Sequence, residues 1–211
     1  MDSLAYKLIH SWEHRPQGGY DATLIEFEGW ERTAGLLGIE HLEIPTPVVF
    51  EADFPTAQKS DYPCNDRGWP LMSRRMLDVL GDVGAFPHRC IPVVLANRRV
   101  IAEQRYTSDG EMRAEAVDDR FTAVQLTSYL DALDKVNSIF TQSEIGGAML
   151  YVFERLALVE PENGFPPLFR LDEDASHLLV SADARRALED ADIRGVAFEP
   201  LPGMGPAPQR D

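Results

Sequence analysis

The chain is cut into short pieces. Apolar and polar residues alternate with period two in run after run, each only a few residues long. Residues 4–9 place Leu4, Tyr6 and Leu8 on one face, and residues 23–27, 48–50, 91–95, 148–153, 177–180 and 196–198 continue the series. This period is the mark of half-buried β-strands. Proline enforces the brevity. Pro45, Pro47, Pro55, Pro63 and Pro70 fall within 26 residues, so residues 52–70 read as a long loop inside the fold rather than as a linker. Pro92, second in the run 91–95, points to a strand start or an edge.

Helix signals are few. Ser73 can cap residues 74–80, whose apolar stripe is Met76, Leu77 and Leu80, and Gly81 and Gly84 supply stops. Ser181 heads residues 182–190, with Asp183 in the first turn where a negative charge suits the helix dipole, and Gly195 precedes the last strand. Residues 121–140 fit both periods. Leu126, Leu130, Leu133 and Phe140 fall near one helical face, yet Thr122, Val124, Leu126 and Ser128 alternate. Because β-branched residues lead, a strand over 122–129 followed by a turn or short helix is predicted. Many strands and few helices exclude a doubly wound fold. The predicted class is α+β, mainly antiparallel sheet with a few short helices.

A chain of 211 residues, 44% hydrophobic, can bury a core without staples. Residues 1–201 are expected to form one globular domain, and the Pro- and Gly-rich residues 202–211 a mobile tail. Two cysteines are too few for a disulfide scaffold. Cys90, before an apolar run, is expected to pack as a small hydrophobe, and Cys64 to be exposed in the proline-rich loop. No run of apolar residues is long enough to span a bilayer, and the first residues lack a basic stretch leading into an apolar one. A cytoplasmic protein is expected.

Charge narrows the partners. The net charge is −15, and it is uneven: −8 over residues 1–66, +4 over 67–105 and −11 over 106–211. Phosphate backbones and anionic membranes repel such a chain, so direct nucleic-acid and membrane binding are not expected, and a cationic protein is its natural complement. The densest acidic stretch is Asp109, Glu111, Glu115, Asp118 and Asp119, in a glycine-containing loop between strands. These five are the candidate partner-binding residues, because loops on a rigid scaffold carry function. Trp12, Trp30 and Trp69 are candidate anchors, with Trp69, beside a helix start, assigned to the core.

Catalytic signals are thin. His10 and His14 are four apart but lie where a strand runs into a loop, and Ser11 stands where a zincin has glutamate. His88 and Cys90 have no second pair to complete a tetrahedral site. There is no Gly-x-Ser-x-Gly elbow and no phosphate loop, and Gly146-Gly147 precedes a strand. No metal or cofactor is predicted. Asp118-Asp119, Asp131 with Asp134, and Asp172-Glu173-Asp174 keep a metal-dependent hydrolase open as an alternative, although 35 acids produce such pairs by chance. Of Arg74 and Arg75, one is expected to face solvent and the other an internal carboxylate.

Several segments, taken in order, carry a family resemblance. They are Trp69-Pro-Leu-Met-Ser-Arg-Arg-Met-Leu-Asp-Val-Leu80, Ile91-Pro-Val-Val94, Tyr129-Leu-Asp-Ala-Leu-Asp134 with Ser138, Pro167-Leu-Phe-Arg-Leu171, and residues 179–189 running into 193–198. Over residues 45–200 the chain resembles a family of bacterial immunity proteins first described as a domain of unknown function, whose members accompany polymorphic toxins, at least one of them a nuclease. The resemblance implies binding rather than catalysis. Such a protein blocks a cognate toxin made by the same cell or a sibling, and it supplies no catalytic residue to carry over. A nuclease toxin would be basic, and an acidic surface would suit its cleft. A toxin-associated adaptor or secretion chaperone is the remaining alternative.

Overall fold

The computed structural model describes residues 3–11, 19–145 and 148–201. In chain order the elements are β1 (Ala5–His10), β2 (Ala22–Leu24), β3 (Val48–Ala52), α1 (Phe54–Ala57), β4 (Leu71–Ser73), α2 (Arg74–Val83), β5 (His88–Asn97) and β6 (Val117–Leu126). They continue with β7 (Ile139–Ile145), β8 (Ala148–Arg155), β9 (Leu168–Phe169), β10 (Leu179–Ser181), α3 (Ala182–Asp190) and β11 (Val196–Pro200). The class is α+β, as predicted. None of these helices is long and apolar enough to cross a membrane.

The strands form two sheets and a separate hairpin. The smaller sheet has the order β11-β1-β10-β9 and is antiparallel throughout. The larger has the order β2-β3-β5-β6-β4, with a single parallel pairing, β3 on β5. Strands β7 and β8 pair only with each other.

Alternation explains the layers. In the smaller sheet Tyr6, Leu8, Leu168 and Val180 point to one face, and Ala5, Phe169 and Leu179 to the other. On the first face lie α2 and α3, whose Met76, Leu80, Ala184 and Leu188 meet Met72, Val124 and Leu126 from the larger sheet. The helices are therefore the filling between the two sheets. The opposite face of the smaller sheet is covered by Leu133, Leu156 and the β7–β8 hairpin through Phe140, Tyr151 and Phe153. The far face of the larger sheet buries Phe50, Trp69, Leu71, Val93, Leu95 and Phe121 under residues 27–44. Trp69 is in the core, as expected.

Two expectations are corrected. Pro92 lies in β5, an interior strand, rather than at a start or an edge. Pairing with β3 begins only at Val93, so the missing N–H at Pro92 costs no ladder bond on that side. The cysteines exchange places: Cys64 is buried and Cys90 exposed. Ile91, Val93 and Leu95 point into the core, so alternation turns Cys90 to the opposite face of β5. The loop expected over residues 52–70 is there, broken by α1, and its residues 61–65 are buried. Side chains satisfy the backbone there in place of a ladder. Asp21 accepts from the Cys64 N–H at 2.9 Å, and the Asn65 side chain accepts from the Trp69 N–H at 3.0 Å and donates to its carbonyl at 2.7 Å.

Both predicted caps are in place. Ser73 accepts from the Met76 N–H at 3.2 Å and Ser181 from the Ala184 N–H at 3.1 Å. Arg74 and Arg75 are both exposed, but only Arg75 reaches a buried carboxylate, Asp61 at 3.4 Å.

Candidate partner-binding surface

The acidic loop is built on anchored ends. Residues 98–116 join β5 to β6. At the base, the buried Arg105 donates to Glu51 at 2.7 Å and to the Val100 carbonyl at 2.8 Å, and Arg99 pairs with Asp53 at 2.7 Å. Arg99 holds the Asp53 carboxyl below its ordinary range. At the tip, the Glu111 carbonyl accepts from the Thr107 N–H at 2.7 Å, and Gly110 turns the chain with φ of 82°.

The five candidate acids separate, and the expectation that all lie in the loop is corrected: Asp109, Glu111 and Glu115 are in it, whereas Asp118 and Asp119 belong to β6, whose pairing with β5 extends the strand back to Val117. Asp118 is largely covered and bonded to Arg120 at 3.0 Å, and Arg120 also donates to the Gln58 carbonyl at 2.6 Å. Glu115 lies 3.8 Å from Arg113. Asp109, Glu111 and Asp119 are exposed and, among the described residues, form no ion pair. Arg98, Arg99, Arg105, Arg113 and Arg120 stand in or beside the same loop. The unpaired negative charge therefore lies at Asp109 and Glu111 in the loop and at Asp119 on β6.

A second acidic surface escaped the sequence reading. Residues 25–44 lie across the larger sheet as a strap. Buried donors pin its carbonyls from below: Trp69 Nε1 on Thr33 at 2.8 Å, and Gln125 Nε2 on Gly38 at 2.6 Å and on Glu40 at 2.8 Å. Arg89 adds a bond to the Ile39 carbonyl at 2.8 Å. With its backbone spent inward, the strap turns Glu26, Glu28, Glu31, Glu40 and Glu43 to solvent. Ile25 and Ile39 lie among them, 41% and 45% exposed. Trp30, half-buried, carries the Arg67 guanidinium 3.8 Å above its ring. The available signal was five glutamates against one arginine over residues 26–43. The strap meets Arg89 and Gln125 at one end of the β5–β6 pair, whereas the 98–116 loop leaves the other end.

Among the remaining candidates, Asp134 and Asp174 have structural partners. Asp134 accepts from the N–H groups of Val136 and Asn137, each at 3.0 Å, and from Asn137 Nδ2 at 2.6 Å. These bonds, the Asn137 side chain first, hold its carboxyl below its ordinary range. Asp174 is buried and bonded to Ser176 and His177. Burial pushes its carboxyl up, but the bonds from His177 and Ser176 prevail and hold it low. His10 stacks on Tyr62 at 4.2 Å. His14, Trp12 and Gly146-Gly147 lie outside the described residues, as do residues 202–211. Among the described residues no three His, Cys, Asp or Glu side chains converge as a metal site would require.

The model of a family described as Immunity protein family (Imm11) fits residues 9–202. No curated protein matches the chain.

Proposed function

Because the chain belongs to the Imm11 immunity protein family, we propose that it binds a cognate toxin, a basic nuclease, and occludes its active site with an acidic surface. Family membership implies a non-enzymatic inhibitor of a toxin. The observation that carries the finer reading is the strap, where five exposed glutamates alternate with exposed isoleucine on a backbone fixed from beneath. A rigid surface of this kind keeps its ordering cost low on binding. Its charge draws a cationic cleft inward, and its apolar residues shorten the list of partners that fit. Asp109 and Glu111 supply a second negative edge, and the partner-binding role of Asp109, Glu111, Glu115, Asp118 and Asp119 is part of this proposal.

The test is co-expression with the product of the neighbouring gene, scored by survival and by co-purification. Survival with a stable complex is the expected outcome. A harmless neighbour that forms no complex refutes the reading. A neighbour that is harmless alone but insoluble without this chain would make it a chaperone instead.

A further inference from the structure

We propose that a small pocket ringed by cations binds a phosphate group, as the free ion or as the head of a small phosphate monoester. The pocket, about 250 Å³ in volume, opens where residues 58–61, the start of α2, β6 and the turn before β11 meet. Lys59, Arg74, Arg75, Arg120 and Arg194 line it. Five cations thus share one small volume in a chain whose net charge is −15. Asp61 is the one carboxylate in the lining, and it is buried. None of these residues belongs to the strap or to the 98–116 loop, so the inference stands apart from the toxin reading.

Three of the guanidiniums are held by the protein with donors to spare. Arg120 donates through Nε to Asp118 at 3.0 Å and through Nη2 to the Gln58 carbonyl at 2.6 Å, which leaves Nη1. Arg194 donates through Nε and Nη2 to Asp192 at 3.2 and 2.9 Å, which again leaves Nη1. Arg75 lies 3.4 Å from Asp61 and bonds the Ala191 and Asp192 carbonyls. Asp61 is already engaged, accepting from Ser73 Oγ at 2.7 Å and from the Arg194 N–H at 3.0 Å. Lys59 and Arg74 are exposed, and among the described residues their side chains form no ion pair or hydrogen bond. Arg74 and Arg75 also open α2, where the helix dipole disfavours cations, so the helix itself does not account for them.

Charge and size select the ligand. Asp61, Asp118 and Asp192 offset three of the five cations and leave two, which matches a phosphate dianion rather than a carboxylate. Asp78 and Asp119 line the adjoining groove instead. Guanidinium forks fit phosphate oxygens, and forks arriving from α2, β6 and the turn before β11 suit a tetrahedral ion better than a flat one. The volume is below the ~300–1,000 Å³ of pockets that enclose a whole small molecule, so the phosphate head enters and the rest of an ester stays outside. The overall charge repels a nucleic-acid strand, whereas a single dianion inside the pocket is screened from exposed charges more than about 8 Å away.

The experiment titrates the full chain with sodium phosphate at about pH 8 by isothermal calorimetry, with sodium chloride holding the ionic strength constant. One saturable site is expected, and sodium acetate should not compete for it. Lys59→Ala with Arg74→Ala removes two cations that hold no other part of the fold, and should weaken phosphate binding by roughly tenfold. Glycerol phosphate that binds more tightly than the free ion assigns the site to a monoester, and the reverse order assigns it to the free ion; either supports the proposal. Heat that does not saturate, acetate binding as well as phosphate, an affinity unmoved by the double variant, or displacement by an unphosphorylated DNA oligonucleotide each overturns it. The titration of the unaltered protein is decisive even if the double variant does not fold.

Discussion

Single side chains in this molecule hold more than one element at a time. Ser73 caps α2 and also donates to Asp61 at 2.7 Å, and Asp61 in turn accepts from the Arg194 N–H at 3.0 Å. Ser181 caps α3 and has no such second bond. Ser73→Ala should therefore cost about 2–3 kcal/mol and Ser181→Ala about 1 kcal/mol, read by urea unfolding. Asp174 gives a pH signature. Its folded carboxyl lies below its unfolded value, so its contribution is full above about pH 4 and fades as pH falls through the lower, folded value. Asp174→Asn should lower stability at neutral pH, with the deficit shrinking at acid pH. The two serines were readable from sequence because a cap depends on the next three residues. The cysteines were not, because exposure depends on which element covers a strand, and α2 stops short of Cys90.

At the scale of elements, the turn before β11 is the tightest junction. Gly195 has φ of 85°, and a Cβ there would overlap the Ser60 side chain and stand 3.2 Å from the Tyr62 carbonyl. Gly195→Ala should cost about 2–4 kcal/mol, from backbone strain and overpacking together, measured as a shift in the unfolding midpoint. The ambiguous residues 121–140 resolve as period two predicted: β6 runs to Leu126 and irregular turns follow. Tertiary pairing decided it, with β5 on one side and β4 on the other. Strand β7, Ile-Phe-Thr-Gln-Ser-Glu-Ile, was not foreseen. Its polar middle hides the alternation, and only its partner β8 brings out the strand.

Across the whole molecule, the helix layer shares side chains with both sheets, so neither sheet keeps this middle core without the other. We propose that residues 1–201 unfold as one cooperative unit, with coincident transitions by fluorescence and circular dichroism. Charge acts at this scale too. Glu28→Lys with Glu31→Lys and Glu40→Lys should slow association with the toxin by about tenfold at low salt and flatten its salt dependence. Asp118→Asn with Asp119→Asn should do less, since Arg120 already offsets Asp118. Net charge was plain in the sequence. Where the charge is free to act was not, because pairing depends on the folded geometry: Arg113 and Arg120 offset Glu115 and Asp118, while on the strap only Glu26 meets an arginine, Arg67.

The pairing of β1 with β10 and β11 sets a clock on manufacture. Ala5–His10 are made well before their partners, Leu179–Ser181 and Val196–Pro200. At about 5–20 residues per second, the first strand waits roughly 10–35 s for a neighbour. Until then its apolar edge is open, and the helix layer has only one of its two walls. A growing chain therefore does not gain its fold in proportion to its length: the sheet that β1 opens closes only once β11 has been made.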